Sequence, residues 1–251
     1  MKYLLLLADL LQFFTACSPV QDAHVYEHEK GYGKIGMIPI PRGYTRVPVG
    51  NGSFGAWLRQ LELRNDNIVY LHNGQPKRNQ SAQFAVMKIS VGEKNLQQCA
   101  DAVMRLRAEY LLSSGKKDEI VFYDNDKNAY RPGSQTDRPS FDRYLEQVFS
   151  WCGTLSLEQQ LKKAKDPAEI RAGDVFIKGG SPGHAVMVID VARDVHGKYV
   201  FILCQSYMPA QDIHILRNPT DASMNPWYSL QENGDLTTPE WVFQFQQRRS
   251  W

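Results

Sequence analysis

The chain has 251 residues, 43% of them hydrophobic and 22% charged, with a formal net charge of +2. This is the composition of a globular protein, and the length suits one large domain or two small ones. The near-neutral balance and the lack of a long Lys/Arg run exclude the electrostatic profile of a nucleic-acid binder, so no nucleic-acid partner is expected.

Met1–Lys2 gives a positive start, residues 3–14 form an apolar run, and Phe14-Thr15-Ala16 leads into Cys17. That is the layout of a secretory signal. A cysteine directly after small residues resembles a lipobox, which implies acylation of Cys17 and a membrane partner through the lipid. The expectation is an exported lipoprotein in the periplasm or at the cell surface. The expected organisation is a signal over 1–17, a polar tether over 18–34 and one domain over 35–251. The other cysteines are Cys99, Cys152 and Cys204. With Cys17 lipidated, three thiols remain, so at least one stays unpaired in an oxidising compartment and is a candidate reactive group.

Downstream, Ser53 caps a predicted helix to Leu61 that places Phe54, Trp57, Leu58 and Leu61 on one face. Residues 68–71 and 84–89 read as strands. The longest predicted helix has Asn95 as its cap, with Leu96, Cys99, Val103, Leu106 and Tyr110 at helical spacing and Gly115 after its end. A strand at 120–123 and a polar loop over 124–138 follow. A helix starts at Ser140, and another spans 155–164. From Gly173 the pattern becomes strands, at 174–178, 185–191 and 199–204. The turn-rich tip at 194–197 makes the last two a hairpin. If Gln205 lies opposite His184, Val186 pairs with Leu203 and Val188 with Phe201 on the same sheet face, and a one-residue change of register would put Ser206 or Cys204 there instead. Period two adds Asp190 to that face as a second orienting candidate.

Ala172-Gly173-Asp174-Val175-Phe176-Ile177 followed by Gly183-His184-Ala185-Val186-Met187-Val188-Ile189 resembles NlpC-type cysteine peptidases and related amidases. The resemblance implies an α+β, papain-like fold in which an antiparallel sheet packs on a helix carrying the nucleophile. It implies Cys99 as nucleophile, His184 as base and Gln205 as the residue that orients the imidazole. A helix start favours the thiolate, and a basic imidazole accepts the thiol proton. Here Cys99 follows Gln98 and precedes Ala100, where those enzymes have Asp before and Ser-Gly after. The long Cys-to-His interval implies an insertion around residues 115–170. The runs 53–59, 96–107 and 205–212 resemble an uncharacterised domain-of-unknown-function family of Gram-negative lipoproteins. In that second run Arg105 and Arg107 are candidates for binding a substrate carboxylate, and Ser206 is a further substrate-binding candidate. No metal and no cofactor is expected, because no zinc spacing, nucleotide loop or flavin fingerprint occurs.

Three activities compete. The first is a thiol hydrolase cleaving an amide bond in cell-wall peptides. The second is a non-catalytic envelope lipoprotein with Trp227, Tyr228 and Trp241 lining a groove. The third is an acyl transferase using His184 with Cys204, which would require Cys204 at a helix start.

Overall fold

The structure is a computed structural model and describes residues 31–135, 137–164, 169–229 and 234–251. The signal segment, Cys17 and most of the tether lie outside the described residues. Tyr32 stacks on Phe84 with centroids 6.0 Å apart, and Lys34 bridges Glu62. The folded part therefore already includes residues 32–34, which the sequence assigns to the tether.

Local chemistry explains the first elements. Strand β1 (Tyr44–Arg46) leads to helix α1 (Phe54–Gln60). The Ser53 hydroxyl caps α1 by accepting a hydrogen bond from the N–H of Ala56 at 3.2 Å. The predicted strand at 68–71 yields only isolated bridges, Tyr70 to Pro76 and Leu71 to Gln211. Strand β2 (Gln83–Val86) follows, then helix α2 (Cys99–Ser113). Gln98, not Asn95, is the N-cap of α2, and the Asp101 carboxylate accepts the Gln98 N–H at 2.9 Å. The Asn95 side chain is engaged elsewhere: its Oδ1 accepts the N–H of Ala210 at 2.7 Å. Cys99 is consequently the first residue of the helix. Gly115, at φ 70°, ends it in the left-handed region.

The predicted loop over 124–138 contains more structure than expected. Strands β3 (Phe122–Tyr123) and β4 (Ala129–Tyr130) form a hairpin there. Helix α3 (Arg138–Trp151) begins before Ser140, because Asp137 accepts the Ser140 N–H at 3.0 Å and Pro139 occupies the first turn. Helix α4 (Thr154–Gln160) and strand β5 (Lys162–Lys163) complete the interval between candidate thiol and candidate base. Strands β6 (Val175–Lys178), β7 (His184–Asp194), β8 (Tyr199–Gln205), β9 (His214–Leu216) and β10 (Trp227–Ser229) follow. A hairpin of β11 (Asp235–Thr237) and β12 (Val242–Gln244) precedes the last strand, β13 (Arg248–Ser250).

The result is a mixed α+β architecture around a nine-stranded sheet in the order β2-β9-β8-β7-β6-β13-β5, with β1 also on β7 and β10 on β8. Its pairings are antiparallel. β13 sits between β6 and β5, so the last strand in the chain is interior to the sheet.

The β7–β8 register differs from the expected one. Val188 faces Leu203 rather than Phe201, and Met187 faces Cys204. An even slip keeps every side chain on its face, so Gln205 stays on the His184 face as a diagonal neighbour. A bulge between Val188 and Asp190 then reverses the alternation.

Two buried clusters flank the sheet. Ala185, Met187, Ile189 and Cys204 join α2 residues Val103 and Leu106 on the helix side. Val186, Val188, Val191, Leu203 and Phe243 pack on the other side, under the β11–β12 hairpin. Each such fully buried aliphatic chain contributes about 1.5–3 kcal/mol by leaving water.

Candidate active site

Three elements converge where β7 begins. α2 delivers Cys99 from the helix side, β7 opens with His184, and β8 ends with Gln205. Gly183 permits the close packing there. A Cβ on it would lie 2.5 Å from Thr154 Oγ1 and 2.8 Å from the backbone oxygen of Lys178. Any larger residue would push the start of β7 out of place.

His184 is 1% exposed. Its Nε2 lies 2.8 Å from Gln205 Oε1. The edge of the Tyr207 ring meets it at 4.9 Å, and Trp241 and Phe243 cover it at 5.3 and 5.8 Å. Burial in this aromatic box pushes its pKa down to about 4, against the opposing pull of Gln205 and Glu240. The imidazole is neutral at pH 7.

Cys99 is 8% exposed. The backbone N–H groups of Ala100, Ala185 and Cys99 itself favour its thiolate, as a helix start should. Burial, aided by the nearby Asp101 carboxyl, outweighs them and raises the thiol to about 11. The expected thiolate stabilisation is present but loses. The sulfur lies by the N–H of Ala185, the residue after His184. No hydrogen bond joins the thiol to the imidazole among the described residues.

Behind Gln205 stands a polar chain with no sequence signal. The Gln205 amide nitrogen donates to Glu240 Oε2 at 2.7 Å and lies 3.4 Å from His214 Nε2. Lys77 Nζ reaches the same Glu240 oxygen at 2.7 Å. Lys77 is in the loop before β2, His214 opens β9, and Glu240 is in the turn of the β11–β12 hairpin. These residues come from three distant segments, so no spacing pattern connects them.

The remaining candidates lie elsewhere. Ser206 is fully buried, with Oγ 2.9 Å from the backbone oxygens of both Gln97 and Gln211. It braces the turn that enters α2. Arg105 is buried, hydrogen-bonded to Gln97 Oε1 and at 2.5 Å to Ser90 O, and borders a cavity of about 520 Å³ with Arg138 and Glu146. Arg107 sits 5.2–5.5 Å from the rings of Phe54, Tyr110 and Trp251. It borders a separate cavity of about 420 Å³ with Lys162 and Lys163. Neither lining includes Cys99 or His184.

Asp190 does not share the His184 face. The bulge sends it to the helix side, where its carboxylate meets Arg46 Nε at 2.6 Å and Arg59 Nε at 2.7 Å. Trp227 and Tyr228 are buried core residues, with Trp227 Nε1 donating to Pro39 O at 2.7 Å, whereas Trp241 roofs the imidazole. Cys204 is buried within strand β8 and does not open a helix, as the transferase reading requires. Cys99, Cys152 and Cys204 are all unpaired. Among the described residues no group of three or more His, Cys, Asp or Glu is placed to hold a metal ion, and no helix is long and apolar enough to cross a membrane.

A family model described as Domain of unknown function (4846) matches residues 36–131 and 123–249. Neither the comparison with curated proteins nor that with solved structures gives a match.

Proposed function

The chain belongs to the Domain of unknown function (4846) family, and on the geometry of its own site we propose that it is a cysteine hydrolase of the NlpC type acting on an amide bond. The observation that carries this reading is the 2.8 Å bond from His184 to Gln205 beside a helix that opens on Cys99. Cys99 is the nucleophile, His184 the base and Gln205 the residue that orients it. The thiol proton passes to the imidazole as sulfur bonds to the carbonyl carbon. The C–N bond then breaks and the leaving amine takes that proton. Water cleaves the resulting thioester and regenerates the thiol. The first N–H groups of α2, those of Cys99 and Ala100, have no intrahelical acceptor and suit the developing oxyanion.

The signal-like N-terminus extends the proposal to export, a lipid anchor on Cys17 and peptidoglycan peptides as substrates. In cells labelled with a palmitate analogue, the protein should carry label that Cys17→Ser removes. With peptidoglycan-derived peptides, Cys99→Ser and His184→Ala should each abolish cleavage while leaving the circular dichroism unchanged. Undiminished cleavage in both variants would sink the hydrolase reading.

A second reading, a non-catalytic envelope-binding lipoprotein, draws on one specific observation. Thiol and imidazole are both neutral, nearly sealed and not hydrogen-bonded to one another. Retention on peptidoglycan by Cys99→Ala, with no hydrolysis by the wild type, would favour it. Failure to bind any wall fraction would count against it.

A further inference from the structure

A glutamine amide has two faces of opposite hydrogen-bonding character: its oxygen accepts and its nitrogen donates. Which face Gln205 turns to His184 decides where the neutral imidazole keeps its proton. Gln205 cannot settle this alone, because either orientation makes one bond to the ring.

The surroundings of its amide nitrogen do settle it. A carboxylate only accepts, and Glu240 Oε2 lies 2.7 Å from that nitrogen. The second neighbour is His214 Nε2, at 3.4 Å. The His214 ring donates its Nδ1 proton to the backbone oxygen of Asp212 at 2.9 Å, so a neutral His214 offers an acceptor at Nε2. Both neighbours therefore demand N–H groups from Gln205. Lys77 keeps Glu240 in place with a 2.7 Å ion pair, and its Nζ stands 5.8 Å over the Tyr207 ring that meets His184. Asn79 Nδ2 reaches the other Glu240 oxygen at 3.4 Å.

We propose that Glu240, anchored by Lys77 and seconded by His214, is a positioning residue that fixes the Gln205 amide so that His184 carries its proton on Nε2 and keeps Nδ1 as its basic nitrogen. This rests on the hydrolase reading only for its purpose. The tautomer itself is a property of the resting protein. Glu240 touches neither the thiol nor the imidazole, and acts only through Gln205.

The test is nitrogen NMR of the full chain labelled with ¹⁵N-histidine, at pH 7. In the wild type His184 should show the Nε2–H signature and His214 the Nδ1–H signature. In Glu240→Leu, Lys77 loses its carboxylate and draws the Gln205 oxygen to itself. The amide turns over, and the Nε2–H signature of His184 should be lost in favour of Nδ1–H. Glu240→Gln should retain the wild-type tautomer, since its oxygen can accept from Lys77 and Gln205 alike. In Lys77→Met/Glu240→Leu nothing pulls the oxygen away, so the Nδ1–H signal should weaken again. His214 should keep its Nδ1–H tautomer throughout, held by the Asp212 carbonyl, an internal check on folding. If Glu240→Leu does not fold, Glu240→Met and the double variant serve the same comparison.

An Nδ1–H signature at His184 in the wild type would overturn the proposal. So would an unchanged Nε2–H signature in a folded Glu240→Leu. If the tautomer turns over as stated while no wall peptide is ever cleaved, the positioning role stands and the hydrolase reading falls. If cleavage depends on Cys99 and His184 but Glu240→Leu leaves the tautomer unchanged, the reverse holds.

Discussion

At the scale of the residue, two opposed effects meet on Cys99. The helix start favours a thiolate, and burial disfavours it. Burial wins, with the thiol near 11. In the free protein the rate of Cys99 alkylation by iodoacetamide should therefore climb about tenfold per pH unit from pH 7 to 10, as the thiolate fraction does. A plateau below pH 8 in a peptide-mapped time course would reveal a preformed thiolate instead. His184 gives a second prediction. Its folded pKa of about 4 lies below the ordinary 6.5, so between those values the unfolded chain binds a proton that the folded one refuses. Its neutral burial is tolerated above pH 6.5 and penalised as the pH falls toward 4. Asp174, raised to about 6 by burial, opposes this trend, so the whole-protein profile does not isolate it. The stability of His184→Gln relative to wild type does, and should rise by about 3 kcal/mol at most between pH 6.5 and 4. Paired urea titrations read it, and a flat difference would refute the buried neutral imidazole. Cys99, His184 and Gln205 were legible through the resemblance carried by the Gly-Asp and Gly-His runs, although the start of the helix that bears Cys99 was not. Lys77, His214 and Glu240 were not, because only tertiary structure brings them together.

At the scale of the element, the strand that carries the base depends on one missing side chain. The Cβ of Gly183→Ala would meet Thr154 and the Lys178 carbonyl at well under contact distance. Backbone cannot yield as a flexible side-chain tip does. The variant should lose about 1–3 kcal/mol of stability through overpacking and shift the His184 ring signals. Wild-type stability with unmoved ring signals would show that the loop over 179–183 relaxes freely. The sequence placed Gln205 correctly despite a wrong register, because the slip was even and face parity survived it. The same reasoning failed for Asp190, since a bulge is invisible to an alternating pattern. The cap of α2 was misread for a related reason. Asn95 has good capping chemistry, but its oxygen bonds to Ala210 across the fold.

At the scale of the whole molecule, Asp190 fastens the helix side to the sheet. Its fully buried carboxylate receives Arg46 from β1 and Arg59 from α1. Asp190→Ala should cost about 3 kcal/mol, since it strands two partly buried guanidinium groups without a counter-charge. An unfolding free energy from urea titration within about 1 kcal/mol of wild type would show that water replaces the carboxylate without penalty. The α+β class was readable from the resemblance, and the strand-rich second half from residue pattern. The nine-strand order was not, because β13 crosses back to pair far from its neighbours in the chain. That crossing imposes a timetable. The sheet cannot close between β6 and β5 until β13 has been synthesised, and the hairpin bearing Glu240 and Trp241 emerges only just before it. A nascent chain thus holds Cys99 and His184 long before it holds the roof and the anchor that arrange them, so the candidate site matures only after that hairpin has been made.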